Sequence, residues 1–161
     1  MLVGEQPGDE EDLRGRPFAG PAGQVLDEAL RKAVLSRGEL FITNSVKHFK
    51  WEPRGKRRLH MKPEQQEVRA CHTWLEREIA EVAPLVIVAL GGTAIRALTG
   101  LQLTIDEARK MELHTASGVR VVATYHPSAV LRSQDDRRDP ISKALTADLR
   151  FAAMMVGGAT I

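Results

Sequence analysis

Four short apolar runs, Met1 to Val3, Leu40 to Thr43, Leu85 to Leu90 and Val119 to Thr124, alternate along the chain with segments of helical periodicity. Runs of this length bounded by turn residues read as buried strands, and strands that alternate with helices build a mostly parallel sheet covered on both faces. After the first run, Val25, Leu26, Ala29, Leu30 and Ala33 recur at three- and four-residue spacing, and Pro21 sets the start of their helix. A second helix is expected from about Pro63, with Glu64 and Glu67 in its first turns, to Val82 before Pro84. Gly91-Gly92-Thr93 opens a short helix over Ala94 to Leu98 that stops at Gly100, and a last helix runs roughly from Pro140 to Met155 before Gly157-Gly158. Leu101 to Leu113 reads as either a short hairpin or an extra strand and carries no assigned function. The expected architecture is one α/β domain over residues 1–161, a three-layer α/β/α arrangement about a mostly parallel sheet of approximately four strands.

A chain of 161 residues, 43% of them hydrophobic, buries a single core. The apolar runs fall well short of the roughly 20 residues that span a bilayer, and Met1-Leu2-Val3-Gly4 is too brief for a signal peptide. A cytoplasmic, monomeric protein with no membrane partner is therefore expected. The one cysteine, Cys71, excludes an intrachain disulfide and leaves any cysteine-rich metal site incomplete. In open α/β sheets ligands gather at the carboxyl ends of the strands. That rule places the loop after Val3, the loop after Thr43, Gly91-Gly92 and the loop after Thr124 along one crevice.

Positive charge is concentrated in one place. Between Lys47 and Lys62 seven basic residues stand against Glu52 alone, a net +6, so the remainder of the chain carries −4 of the total +2. Its densest part, Lys56-Arg57-Arg58-Leu59-His60, is expected in a loop between a strand and a helix, where it reads either as a solvated charge run or as a contact for a polyanion.

Three further stretches carry chemistry. The first strand leads directly into Gly4-Glu5-Gln6-Pro7-Gly8-Asp9, and residues 4–23 hold five glycines and three prolines, which fix an irregular backbone and let it approach a ligand closely. The segment has neither the GxxxxGK[ST] of a phosphate loop nor the GxGxxG of a dinucleotide fold. Phe18 within it serves either as a core plug or as a flat face for a planar ligand. Asn44, at the end of the second strand, is either a turn cap or a carboxamide whose acceptor and donor pair match the N3–H and O4 edge of uracil. His126, in Tyr125-His126-Pro127-Ser128, reaches the same crevice, where an imidazole can donate to a developing anion.

Gly4-Glu5-Gln6-Pro7-Gly8 with Glu11-Asp12, Pro17-Phe18 and Gly20-Pro21-Ala22-Gly23 resembles the first motif of the uracil-DNA glycosylase superfamily, family-four type, and His126-Pro127-Ser128 resembles its second. Gln6 in place of the family-four Ala, and Lys56-Arg57-Arg58-Leu59-His60 where the signature reads KRRIH, are similar to the UdgX branch. The resemblance runs from Leu2 to about Arg132. It implies that Phe18 stacks on a flipped uracil, that Asn44 and Gln6 contact the base, that Glu5 and Gln6 line the reaction centre and that His126 supports the uracil anion. Asp9 lies close enough to Glu5 in sequence to serve the positive sugar with it or to polarise a nucleophile. It further implies that His60 attacks the sugar and stays covalently joined to the abasic site. Lys56, Arg57, Arg58, Ser128 and Arg132 are the implied DNA contacts, and uracil-containing DNA the implied partner. The family also carries a four-iron, four-sulfur cluster. Cys71 matches its last ligand and His48 stands where a Cys is usual, while the first two ligands come from a cysteine pair upstream of the first strand. The chain is thus expected to be either an amino-terminally shortened form or one that dispenses with the cluster, and no nucleotide cofactor is implied.

Two alternatives stay open on sequence. One is a conventional turnover glycosylase in which water activated by Glu5 attacks and His60 only contacts phosphate. The other is a uracil-DNA-binding domain without catalysis.

Overall fold

In the computed structural model, which describes residues 1–157 apart from the side chain of Asp135, the expected strands pair into one sheet. They are β1 (Leu2–Gly4), β2 (Ile42–Asn44), β5 (Val86–Leu90) and β7 (Arg120–Thr124), joined at one edge by β6 (Leu113–His114), in the order β2-β1-β5-β7-β6. Every pairing is parallel except that of β6 with β7. The sheet thus has five strands where about four were expected. The Leu101 to Leu113 segment supplies the fifth, after a one-turn helix α5 (Ile105–Ala108) capped by the Thr104 hydroxyl.

The period-two alternation of the strands divides the core into two layers. Leu2, Val86, Val88, Leu90 and Val122 face α2 (Pro21–Lys32) and α7 (Asp135–Gly157), packing on Leu26, Leu30, Leu145 and Leu149. Val3, Ile87, Ala89, Val121 and Ala123 face the other way, onto Leu75 and Ile79 of α3 (Gln65–Val82) and Ile95 and Leu98 of α4 (Gly92–Thr99). The central strands are apolar on both faces because helices cover both, which is why they read as continuous runs rather than alternating ones.

Three local expectations need correction. The basic segment is a hairpin rather than an open loop. β3 (Trp51–Arg54) pairs antiparallel with β4 (Arg57–His60) in the register Trp51 to His60 and Arg54 to Arg57, and the turn places Gly55 at φ 60°, a left-handed conformation suited to glycine. Within the Gly- and Pro-rich stretch, α1 (Asp9–Arg14) forms because Asp9, Glu10, Glu11 and Asp12 all sit at its positive end. α7 begins at Asp135 rather than Pro140, its first turn closing on the Gln134 carbonyl, so Pro140 interrupts only one bond near the helix start. A short α6 (Pro127–Arg132) precedes it, and Gly158 lies outside the described residues. Among the described residues no helix is long and apolar enough to cross a membrane.

Candidate active site

A cleft of about 510 Å³ opens where the carboxyl ends of β1, β2, β5 and β7 converge, and Glu5, Gln6, Phe18, Asn44, His60 and His126 all line it. Ser128 and Arg132 line it as well. Asp9, Lys56, Arg57, Arg58, His48 and Cys71 do not.

Phe18 is built in under strain. Its backbone lies at φ 51°, a left-handed conformation that costs a residue with a Cβ about 1–2 kcal/mol. Three contacts impose it. The Arg37 guanidinium donates to the carbonyls of Pro17 and Phe18 at 2.9 and 3.1 Å. The Glu11 carboxylate accepts from the amides of Gly8 and Gly20 at 3.0 and 2.9 Å, fastening both ends of the loop. Gly23 leaves room where a Cβ would fall 1.9 Å from the Phe18 carbonyl oxygen. The ring is 6% exposed and joins the α2–α7 core, yet it also lines the cleft, with its centroid 5.5 Å from that of His126. Phe18 is thus a core residue that also lines the cleft.

Asn44 lies beside it. Its Oδ1 is buried and has no hydrogen-bond partner among the described residues, a condition that ordinarily costs about 1–3 kcal/mol. Gly4 makes the juxtaposition possible, because a Cβ there would stand 2.4 Å from Asn44 Oδ1 and 2.8 Å from Phe18 Cζ.

Gln6 braces the basic hairpin against β1. Its Nε2 donates to the Met61 carbonyl at 2.9 Å and lies 2.9 Å from His60 Nε2, while its Oε1 accepts from the Lys50 amide at 3.2 Å. Because the amide nitrogen can only donate, His60 Nε2 accepts and the ring proton sits on Nδ1. Glu5 lies between two groups: Oε2 accepts from the Thr93 hydroxyl at 2.5 Å and Oε1 is 3.7 Å from His60 Nε2.

His126 caps α6, its Nδ1 accepting from the Ser128 amide at 3.1 Å. The Ser128 hydroxyl, 2.7 Å from the same nitrogen, accepts in turn from Arg132 at 2.8 Å. With Nδ1 occupied as an acceptor, a neutral ring carries its proton on Nε2. Burial pushes the imidazole down from its ordinary 6.5 to about 4, with Arg132 and His60 adding to the shift and Glu5 opposing it, so His126 is neutral at physiological pH.

Three of the seven basic residues between Lys47 and Lys62 are paired within the fold. Lys47 pairs with Glu78 at 2.6 Å, and Lys50 with Glu64 and Glu67 at 2.8 and 3.0 Å. Arg58, counted from sequence among the DNA contacts, is held by Asp9 and by Asp12, the latter at 2.6 Å, and its guanidinium also lies over the rings of Phe49 and Trp51. Asp9 is thus held by Arg58 and does not line the cleft. Lys56 and Arg57 are exposed at and beside the hairpin tip.

Cys71 Sγ lies 3.9 Å from His48 Nδ1 and accepts from the Lys47 amide at 3.5 Å. Among the described residues no group of three or more His, Cys, Asp or Glu side chains is placed to hold a metal. Cys71 and His48 are two donors, which do not fit a cluster that takes four ligands.

Sequence reasoning placed Glu11 in a motif and Thr93 at a helix start without giving either a role in the site, and it passed over Arg37. Glu11 carried a signal, an acid three residues after Gly8 at a helix start. Thr93 followed the Gly91-Gly92 pair at the crevice. Arg37 had no local signal, since its contacts lie about twenty residues away.

The family model described as "Uracil DNA glycosylase superfamily" matches residues 1–150, and the chain belongs to that superfamily. The chain is similar to proteins named Type-4 uracil-DNA glycosylase. The one from Thermotoga maritima is 38% identical over 137 residues, covering 84% of this chain and 68% of the relative. The one from Pyrobaculum aerophilum is 42% identical over 139 residues, covering 82% and 67%. The one from Saccharolobus solfataricus is 34% identical over 158 residues, covering 93% and 68%.

Two outcomes follow from this geometry. Gly4→Ala forces Asn44 and Phe18 to give way and should lower stability by about 1–3 kcal/mol, read as a fall in melting temperature; an unchanged melting temperature contradicts the close approach. In NMR titration the His126 ring should be the Nε2–H tautomer at pH 6 and gain its second proton near pH 4, where a midpoint near 6.5 contradicts its burial.

Proposed function

We propose that the chain excises uracil from DNA and then stays joined to the abasic sugar through His60. The observation that supports this reading best is the unpartnered Asn44 Oδ1 beside Phe18, an acceptor placed to receive the N3–H of a flat base that has left the duplex stack. The similarity to Type-4 uracil-DNA glycosylases supports a DNA glycosylase enzyme.

In the proposed reaction the flipped uracil lies against Phe18, with Asn44 reading its edge. The bond between N1 and C1′ breaks and its electron pair leaves with the base. Negative charge gathers on the uracil oxygens, where the neutral His126 donates its Nε2 proton as a hydrogen bond. Ser128 and Arg132 act through His126 by holding its tautomer. The positive character left on the sugar faces Glu5, which Thr93 holds in place. The lone pair of His60 Nε2 then forms the bond to C1′, and loss of the Nδ1 proton to solvent leaves a neutral substituted imidazole, a poor leaving group. Gln6 orients the lone pair before attack. Lys56 and Arg57 contact phosphate, which is the UdgX-like part of the reading.

A second reading is favoured by the place of Glu5 in the cleft: a turnover enzyme in which water, activated by Glu5, replaces His60. A denaturing gel of protein incubated with uracil-containing DNA separates the two. The covalent reading predicts a heat-stable shifted band in wild type that is absent in His60→Ala, while the variant still releases uracil and leaves a free abasic site. An adduct that persists in His60→Ala, or no adduct in wild type, overturns it; release with turnover in wild type then supports the second reading.

A further inference from the structure

A groove larger than the cleft, about 790 Å³, runs between α3 and α4 toward the β6 turn. It shares Lys62, Gly92 and Thr93 with the cleft, so the two adjoin. Arg69 of α3 and Arg96 of α4 both line it, and Lys62 lines both it and the cleft. Among the described residues no Asp or Glu lines it, and no Phe, Tyr or Trp.

The contrast with the hairpin region is informative. Lys47, Lys50 and Arg58 are tied to carboxylates, whereas Lys62, Arg69 and Arg96 form no ion pair among the described residues. The groove also receives the first residues of α4, an eight-residue helix whose positive end therefore opens where groove and cleft adjoin. His72 and His114 line it too, each with a neighbouring glutamate, Glu76 at 3.3 Å and Glu112 at 3.9 Å. A channel with unpaired cations and no acids attracts a polyanion. Without Phe, Tyr or Trp it offers bases no large stacking platform, so what it suits is a phosphate backbone held without regard to sequence.

We propose that this groove holds the phosphate backbone of the DNA strand as it continues from the flipped nucleotide, Arg69 and Arg96 each contacting a phosphate. The inference rests on the reading of the cleft as a uracil site, which supplies the strand that enters at Lys62. It gives the protein a track for flanking DNA on the α3–α4 side, separate from the hairpin tip with Lys56 and Arg57.

The test compares wild type with the Arg69→Ala/Arg96→Ala double variant. Fluorescence anisotropy on a 20-nucleotide single strand lacking uracil reads binding without chemistry. The variant should bind at least tenfold more weakly at low salt, and its log–log salt slope should fall by about 1.4, near 0.7 for each phosphate of a single strand that is no longer neutralised. Arg69→Lys/Arg96→Lys should bind as wild type does, which separates removal of charge from a damaged fold. Uracil release is then followed on a trinucleotide with central deoxyuridine and on forms extended on the 5′ or the 3′ side. One extension should lower the half-saturating protein concentration for wild type, and the alanine variant should lose that gain while keeping its maximal rate and its behaviour on the trinucleotide. Equal affinity and equal salt slope in variant and wild type overturn the groove as a DNA track. So does a loss that falls equally on the trinucleotide. Absence of uracil release from every substrate, with the anisotropy difference intact, overturns the reading of the cleft and leaves the groove standing.

Discussion

Everything that gathers in the cleft depends on holding Phe18 in a backbone conformation its side chain disfavours. At φ 51° the residue turns the chain sharply enough to lay its ring between the α2–α7 core and the cleft. Arg37, the Glu11 carboxylate and the absence of a side chain at Gly23 together overdetermine that turn, which is how strain persists at a functional site. The ring then backs the space that Asn44 and His126 face. An unsatisfied Asn44 oxygen costs stability in the same place. A ligand with an N–H donor would satisfy the Asn44 oxygen, and the strained turn at Phe18 is what keeps a flat ring beside it.

The hairpin shows how charge can be local in sequence and yet serve the fold. Arg58 links β4 to α1 through Asp9 and Asp12 and lies over Phe49 and Trp51, while Gln6 fixes the hairpin base to β1. These contacts bring His60 to the cleft rim within 3.7 Å of Glu5. The acids that balance the basic segment lie on α1 and α3, so a net charge counted along the chain overstated what is open to a partner. Among the described residues, cations without a carboxylate partner include Lys56 and Arg57 at the hairpin tip and Lys62, Arg69 and Arg96 along the α3–α4 groove.

Much of the architecture was legible because its physics is local. β5 and β7 are runs of buried apolar residues, and α2 and α3 show their periodicity and their starts directly. β6 was half-legible: two residues long, it takes its strand character from pairing with β7 and not from its own composition. The hairpin was hidden by its composition, since its faces are mostly exposed and its apolar pattern is weak. In the site, the motif residues Glu5, Gln6, Phe18, Asn44, His60 and His126 were legible as a set, and the structure brings all of them to one cleft. The partners that restrain them were not. Arg37 reaches Phe18 from the loop before β2, and the Arg58–Asp12 pair spans 46 residues. Contacts of that separation leave no periodic trace.

The central claim is that Asn44 and Phe18 together form the seat of a flipped uracil, and the rate of uracil release by Asn44→Ala tests it most directly. Single-turnover release from a deoxyuridine-containing strand should fall by about 2–4 kcal/mol of transition-state stabilisation, roughly 30- to 1000-fold, with affinity for a strand lacking uracil nearly unchanged. Release at the wild-type rate would contradict the claim and return Asn44 to the role of a turn cap.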